Sequence, residues 1–296
     1  MKKTFGEKIF SGFNYFFLVL IGLITLFPFY VTLINSISPS IDLSTKVINL
    51  WPSKLELNAY KALIGQGSGL VNAYSINIYV TVVGTILNVI FTLLPAIALA
   101  NKKLPYRTGM TLFLVGTMYF GGGMIPGYLL NKYLGLIDNL WVLILPGLIS
   151  TGYILYLRNF ISTIPGEILE SATIDGCSDI GLVWRIIVPL SGAAIATFAL
   201  FYAVGHWNDY FNGAMFITSK AKQPLQVYLR DILRESGAKQ GMNPEEYLKM
   251  VENNMVPLDE SLKAANIMAA TIPIVCVYPF LQKYFVKGLV MGSLKG

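Results

Sequence analysis

Long apolar runs separated by short polar stretches dominate the hydrophobic pattern of this 296-residue chain. A helix needs about 20 consecutive, mostly apolar residues to cross the hydrocarbon core of a bilayer. Several runs of that length carry no charge. We therefore predict an all-α integral membrane protein with six spans, at residues 11–37, 74–100, 109–130, 140–160, 186–207 and 265–285.

Polar segments between the spans predict the domain organisation. We expect an N-terminal segment at 1–10, a first span at 11–37, an outer segment at 38–73, a core at 74–285 with the other five spans, and a tail at 286–296. Within the core, the polar segment 161–189 and the outer loop 208–264 are the long connections. In the outer loop, apolar residues from Leu225 to Leu233 recur at helical spacing, which predicts an amphipathic helix.

Composition and charge support the membrane class. The chain is 54% hydrophobic and only 13% charged, about half the charged fraction of a soluble domain. Its net charge of +6 does not indicate nucleic-acid binding, because the basic residues gather near the ends of apolar spans rather than along one face. Lys and Arg collect on the cytoplasmic side of membrane proteins. This bias predicts that both termini are cytoplasmic.

Motifs for catalysis and metal binding are missing from the sequence. It contains no G-x-x-x-x-G-K-[ST] loop, no G-x-S-x-G, no H-E-x-x-H and no C-x-x-C, and it has one histidine. Cys177 and Cys276 lie in separate segments. We therefore expect no catalytic residues, no metal site, no disulfide and no cofactor bound by this chain.

A short, charged and interrupted helix pattern sets the segment 161–189 apart from its apolar surroundings. Pro165 suits the first turn of a helix, and Glu167 would lie near the positive end of its dipole. Gly176 can end that helix in a left-handed conformation, and Ser178 is a plausible cap for a second helix that Pro189 interrupts. The pattern leaves two interpretations open: a simple connection, or an element through which a cytoplasmic partner acts.

This segment resembles the cytoplasmic signature of ABC-importer permeases. Glu170-Ser171-Ala172, Gly176 and the sequence IIVP that ends at Pro189 match the spacing E-A-A-x3-G-x9-I-x-L-P. Ser171 and Val188 depart from that pattern with small or apolar substitutes. The stretches ALFYAVGHWNDYFNGAMFI and LQKYFVKGLVMGSLKG resemble the carbohydrate-uptake class (the maltose-type second subunit), and MYFGGGMIPGYLLNKYLGLIDNLWVLILPG is similar to its lipoprotein/polysaccharide-type branch.

The resemblance covers essentially the whole chain and implies a function. It implies a six-helix permease of the type I importer fold in a bacterial cytoplasmic membrane, working as the transport subunit of an ATP-driven oligosaccharide importer. The implied partners are a second homologous permease, an ABC ATPase dimer that holds ATP and Mg²⁺, an extracytoplasmic solute-binding protein and the lipid bilayer.

Site residues follow from the same resemblance. The implied ATPase-coupling residues are Glu170, Ser171, Ala172, Asp175, Gly176, Cys177 and Pro189. The implied tail residues at the ATPase interface are Gly292, Ser293 and Gly296.

Polar and aromatic residues at the outer end of the fifth predicted span are candidates for contact with substrate or the binding protein. They are His206, Trp207, Asn208 and Asp209, with Tyr119 and Tyr79 as weaker candidates. An aromatic anchor at the membrane surface, or docking of the binding protein, is the preferred interpretation, and stacking on a sugar ring is the alternative.

Two further features lie inside predicted spans. The sequence GGGMIPG from Gly121 to Gly127 predicts a weakened or broken helix, with a break lining a path as the alternative. Asn77 and Asn88 are expected to join helices by hydrogen bonds rather than to line a pore.

Competing function classes have less support. A secondary transporter normally carries acids or a charged relay within its spans, and an intramembrane enzyme needs a catalytic dyad. A permease for a non-carbohydrate solute stays open as an alternative, because specificity in this class lies largely in the binding protein.

Overall fold

The computed structural model describes residues 5–39, 42–43, 46, 48–65, 69–238 and 260–276, and every regular element within them is helical. The tail residues Gly292, Ser293 and Gly296 and the predicted span beyond residue 276 lie outside the described residues. Contacts divide the chain into two compact units, residues 1–68 with 229–273, and residues 69–228 with 274–296.

The first unit begins with one long apolar helix. Helix α1 (Phe5–Ser36) agrees with the first predicted span, and most of its side chains are exposed on all sides. A helix that is apolar all round suits a lipid environment. The short helix α2 (Asn58–Ile64) follows in the outer segment and buries Ala59 and Leu63.

A carboxylate fixes the turn between these helices. Asp42 accepts a hydrogen bond from the Ser53 N–H at 2.6 Å and pairs with Lys46 at 3.1 Å. Loss of hydration would by itself raise the pKa of Asp42. The Ser53 hydrogen bonds and the Lys46 charge outweigh that effect and hold the pKa below its ordinary value.

Helix α3 (Leu70–Ala100) is the centre of the second unit. Its buried residues recur every three or four positions, so that they form one stripe along the helix. That stripe packs against two other helices of the unit, Thr151–Ile161 and Gly192–Trp207. All helices are numbered in chain order. The other helices of the described chain, taking both units together, are α4 (Arg107–Tyr119), α5 (Met124–Tyr133), α6 (Thr151–Ile161), α7 (Gly166–Ile174), α8 (Asp179–Leu190), α9 (Gly192–Trp207), α10 (Phe211–Phe216), α11 (Leu225–Ala238) and α12 (260–276).

Two apolar clusters form where α3 meets its neighbours, chiefly α6 and α9. Near the start of α3, Ile76 and Val80 pack with the segment 142–144 and with Phe216 of α10. Near its end, Leu93, Ala96 and Leu99 pack with Leu157 of α6 and Ile187 of α8. Polar residues of α3 occupy the section between the two clusters.

Three predicted spans are not single helices. The span 109–130 is divided into α4 and α5, which bend by 111° around Phe120 and three consecutive glycines, of which Gly123 has φ +81°. The span 186–207 is divided at Ser191, where α8 and α9 bend by 78° just after Pro189. In the span 140–160, a 3₁₀ turn (Leu140–Leu143) and an irregular stretch precede the 11-residue helix α6.

Glycine and proline explain these breaks. Glycine has no side chain to restrict the backbone, and proline lacks an N–H for the helix ladder. Within the described residues, two helices are long and apolar enough to cross a membrane, Gly6–Ser36 and Leu70–Ala100, or four if each bent pair counts as one span. The prediction of a broken helix at GGGMIPG is confirmed.

Candidate functional site: a polar cavity and a two-helix elbow

The segment predicted to contact a partner folds as two short helices, α7 and α8, which we call the elbow. Helix α7 begins at Gly166, so Pro165 precedes the helix instead of lying in its first turn as predicted; its ψ of 129° is extended. Glu167 lies in the first turn, where the helix dipole favours a negative charge.

The turn of the elbow has the geometry that the sequence predicts. Gly176 has φ +82°, and its N–H donates to the Thr173 carbonyl at 3.1 Å, while the Cys177 N–H donates to the Ala172 carbonyl at 3.0 Å. This pair of bonds is the Schellman motif, which satisfies carbonyls at the end of α7. Ser178 then caps α8 by accepting a hydrogen bond from the Gly181 N–H at 3.2 Å.

A second glycine allows the turn to close tightly, which sequence reasoning did not anticipate. A Cβ at Gly181 would lie 2.7 Å from the Cys177 Sγ atom and 3.3 Å from the Ser178 Oγ atom. A larger residue at 181 would therefore push Cys177 out of position. The four-residue spacing could have predicted this contact from the sequence, because it places residues 177 and 181 on adjacent helical turns.

Most predicted coupling residues lie on the surface of the elbow. Glu170, Ser171, Asp175, Gly176 and Pro189 are exposed, and Ala172 and Cys177 are partly buried. The elbow is also attached to the core, because Leu169 of α7 packs against the apolar cluster that contains Ile161 and in which Ile187 of α8 is buried. Ile168 of α7 is exposed.

A polar cluster lies on the same central helix, α3. Asn88 has no exposed surface, and its Nδ2 donates to the carbonyls of Gly147 and Leu148 at 2.8 Å each. Its Oδ1 lies 2.7 Å from the Nε2 of His206. Asn77 donates to the Trp207 carbonyl at 3.4 Å. Both amides therefore join helices, as predicted.

Close packing and a second hydrogen bond complete this cluster. Gly84 faces His206 so closely that a Cβ there would lie 2.5 Å from the Nε2 atom. The hydroxyls of Thr92 and Tyr202 are 2.7 Å apart. Helix α3 thus presents Gly84, Asn88 and Thr92, one turn apart, to His206 and Tyr202 of α9.

An open cavity of about 510 Å³ lies beside this cluster. It is lined by Val142, Leu143, Pro146, Gly147, Ser150, Tyr153, Phe201, Tyr202, Gly205, His206, Asn208, Asp209 and Asn212. Tyr153 packs against Tyr202 edge to face, with ring centroids 5.0 Å apart. A lining of aromatic rings, amides and hydroxyls can bind a solute that has both apolar faces and hydroxyl groups.

The structure brings together three of the six candidate contact residues. His206, Asn208 and Asp209 line the cavity. Trp207 is buried instead, and its ring is 6.4 Å from that of Tyr74. It is therefore neither an exposed anchor nor part of the cavity wall. Tyr119 and Tyr79 are exposed and outside the lining.

Several cavity residues were missed by sequence reasoning. Tyr202 precedes His206 by four positions, so helical spacing alone could have placed it on the same face. Ser150, Tyr153 and Asn212 come from other segments, and only the fold brings them to the cavity. Asn212 also donates through its N–H and its Nδ2 to the Asp209 carboxylate, at 3.1 and 2.9 Å.

A carboxylate near the cavity holds two connecting segments together. Asp138 Oδ1 accepts hydrogen bonds from the N–H groups of Ser219 at 2.8 Å and Thr218 at 3.0 Å, and Oδ2 pairs with Lys222 at 3.0 Å. The hydrogen bond from Ser219 and the bond from Lys222 lower the pKa of Asp138 from 3.8 to about 2. Among the described residues, no group of three or more His, Cys, Asp or Glu side chains could hold a metal ion.

Similar proteins match this sequence over nearly the full chain. The protein LplC of Bacillus subtilis (strain 168) is 41% identical over 298 residues, covering 100% of this chain and 98% of LplC. The polygalacturonan/rhamnogalacturonan transport system permease protein YtcP of the same organism is 38% identical over 290 residues, covering 98% of this chain and 99% of YtcP.

A solved structure shares the fold. It is the crystal structure of a bacterial ABC transporter involved in the import of the acidic polysaccharide alginate, with a TM-score of 0.82 and 28% identity, covering 96% of this chain and 99% of that chain. Residues 65–291 match the family described as the binding-protein-dependent transport system inner membrane component. The match spans the elbow, the polar cluster and the cavity, and this chain belongs to that family of transport permeases.

Proposed function

We propose that this chain is one permease subunit of an ATP-driven, solute-binding-protein-dependent importer of oligosaccharides or polysaccharide fragments. The cavity beside His206 is the observation that carries the proposal, because its aromatic rings, amides and hydroxyls suit a polyhydroxylated solute. The substrate class is supported by the names of YtcP and of the alginate transporter, which both refer to polysaccharides.

The proposed topology has six spans with both termini in the cytoplasm. Helices α1 and α3 supply two spans, and the bent pairs α4–α5 and α8–α9 supply two more. The segment with α6 and the helix α12 (260–276) supply the others. Broken helices are tolerated at membrane depth where they pack in protein or line a water-filled cavity.

The proposed partners are a second homologous permease, an ABC ATPase dimer that carries ATP and Mg²⁺, and a solute-binding protein outside the membrane. The exposed residues Glu170, Ser171 and Asp175 would contact the ATPase, and the tail with Gly292, Ser293 and Gly296 would reach its interface. The solute-binding protein would dock on the outer surface near the cavity.

The packing of the elbow supports a mechanism for coupling. Alternating access requires that ATP bind two states of the transporter differently. The elbow packs on the apolar cluster that holds the end of α3, and the same helix presents Asn88 and Thr92 to the cavity wall. Motion of the ATPase would therefore reach the cavity through one continuous helix.

Co-purification tests this proposal. A tagged full-length chain is extracted from its native membrane in mild detergent, and its partners are identified by mass spectrometry. Recovery of an ATPase, a second permease and a binding protein that retains an oligosaccharide is the expected result. Purification of the chain without any of these partners, even after cross-linking, would contradict the proposed function.

A further inference from the structure

An apolar groove lies at the far end of α3, away from the cavity and not used by the proposed transport function. It has a volume of about 420 Å³ and runs between the last turns of α3 and the first turns of α4. Its walls include Pro95, Leu104, Phe113 and Leu114, and Gly109 leaves one side open. Nearly all of the exposed wall is apolar, so the groove suits a hydrocarbon chain.

Three basic residues lie in the stretch of chain that connects the two walls of this groove. Lys102 and Lys103 are exposed in the connection between α3 and α4, and Arg107 begins α4. Within the described residues, none of these three side chains has an acidic partner within salt-bridge distance. The charges are therefore available to an anion at one end of the groove.

Hydrogen bonds hold the Arg107 side chain and the backbone of the connection in place. The Arg107 Nε donates to the Leu99 carbonyl at 2.7 Å, which fixes the guanidinium beside a residue of the groove wall. The Lys103 N–H donates to Asn101 Oδ1 at 2.9 Å, so the connection is an ordered turn. Tyr106 takes a left-handed conformation with φ +56°, which redirects the chain into α4.

We propose that this groove is a binding site for an anionic phospholipid. One acyl chain lies between α3 and α4, and the phosphate and headgroup lie against Lys102, Lys103 and Arg107. A basic rim beside an apolar groove between helices is the arrangement that favours anionic headgroups over zwitterionic ones. Lys and Arg bias places this rim in the cytoplasmic leaflet, where anionic lipids concentrate.

Native mass spectrometry of the full-length chain in its assembled transporter tests the charge requirement. The probes are dioleoyl phosphatidylglycerol and dioleoyl phosphatidylcholine, with inorganic phosphate as competitor. We expect tighter retention of phosphatidylglycerol, and a loss of roughly fivefold in affinity for each cation removed in Lys102→Gln with Lys103→Gln. The control Lys54→Gln with Lys61→Gln removes two exposed cations elsewhere and should leave retention unchanged.

A variant that fills the groove tests the acyl-chain requirement separately. A Cβ at Gly109 meets no atom within 4 Å, so Gly109→Leu should fold normally while its side chain occupies the groove. We expect phosphatidylglycerol retention to fall by roughly tenfold or more, because several methylenes of the lipid's acyl chain would no longer be buried in the groove. Gly116→Leu is the matched control, because Gly116 lies on the same helix with open space around it and outside the groove.

Four results would overturn the proposal. They are equal retention of the two lipids, full retention in Gly109→Leu, displacement of the lipid by inorganic phosphate, and loss of the ATPase rather than the lipid in the double lysine variant. The last result would assign the cations to an acidic protein surface. None of these outcomes depends on the identity of the transported solute, so the lipid site can fail while the transport function stands.

Discussion

At the scale of single residues, the amide of Asn88 determines how the polar cluster is held together. It makes two hydrogen bonds to carbonyls and one to His206, and it has no exposed surface. A polar group at this depth is costly unless it is paired. The cluster is therefore a structural joint between α3, α9 and the segment before α6.

Replacing Asn88 with Ala removes all three hydrogen bonds. Interhelical hydrogen bonds in membrane proteins average about 0.6 kcal/mol, so we expect a loss of about 2 kcal/mol in unfolding free energy. Denaturant unfolding in detergent micelles would measure it. Asn208→Ala is the control, because Asn208 bonds only to the Val204 carbonyl of its own helix and should cost much less. Equal losses of unfolding free energy in the two variants would show that the Asn88 hydrogen bonds stabilise the protein no more than a bond within one helix does.

Replacing Gly84 with Ala tests the close contact between α3 and His206. The added Cβ would lie 2.5 Å from Nε2, so the ring must move and weaken its bond to Asn88. Overpacking of this kind costs about 1–3 kcal/mol. Gly205→Ala is the matched control on the facing helix, where a Cβ meets nothing within 4 Å. Thermal unfolding measures the cost of each variant. Equal losses of stability in Gly84→Ala and Gly205→Ala would contradict a close contact between Gly84 and His206.

Asp138 predicts a pH dependence in the connection that it holds. Its pKa is lowered from 3.8 to about 2, so its stabilising effect is present above the ordinary value and is lost as pH falls from about 4 to about 2. The protection factors of the Thr218 and Ser219 amides, which compare measured exchange with the intrinsic rate at the same pH, should fall across this range in the wild type. In Asp138→Asn the protection factors should already be low above pH 4 and nearly independent of pH. Protection in that variant that falls between pH 4 and pH 2 as in the wild type would refute the assignment.

These residues show what sequence can and cannot predict locally. The positions of Asn77 and Asn88 within an apolar run were enough to predict helix–helix hydrogen bonds. The partner of His206 was not predictable, because Asn88 lies 118 positions away and only the packing of α3 on α9 joins them. Trp207 was expected at the surface but is buried, and its ring lies beside Tyr74 of α3, a neighbour that is likewise distant in the sequence.

At the scale of elements, local signals predicted the elbow well and apolar runs predicted the spans less well. Gly176 and Ser178 act through bonds to residues within five positions, so their roles can be deduced from sequence. An apolar run reports that a segment avoids water, but it does not report helix continuity. The runs at 109–130 and 186–207 are mostly apolar and nevertheless bend, at Gly121–Gly123 and after Pro189.

Replacing Gly176 with Ala tests whether the geometry of the turn is needed. The left-handed conformation costs an L-residue about 1–2 kcal/mol, which would loosen the link between α7 and α8. We expect assembly of the transporter to persist and ATP-driven transport to fall. Gly166→Ala is the control, since Gly166 begins α7 with an ordinary φ and with open space around it. Transport at wild-type level in Gly176→Ala would mean that the elbow need not be rigid.

At the scale of the whole molecule, the second unit connects the elbow to the cavity through α3. The elbow contacts the apolar cluster at one end of the helix, and His206 contacts Gly84 and Asn88 nearer the other. A helix transmits displacement along its axis because its hydrogen-bonded turns resist compression. The sequence has no G-x-x-x-x-G-K-[ST] nucleotide motif, and the chain belongs to a family of transport permeases. Under the proposed function, a partner would therefore act on the elbow, and α3 would carry the motion to the cavity.

Transport in reconstituted vesicles tests the central claim most directly. The assembled transporter is placed in proteoliposomes with the ATPase supplied with ATP and Mg²⁺, and with its binding protein and a labelled oligosaccharide on the opposite side. The account predicts accumulation that requires both ATP and the binding protein, and a reduced rate with normal assembly in Glu170→Gln. Accumulation that proceeds without ATP, or without the binding protein, would contradict it.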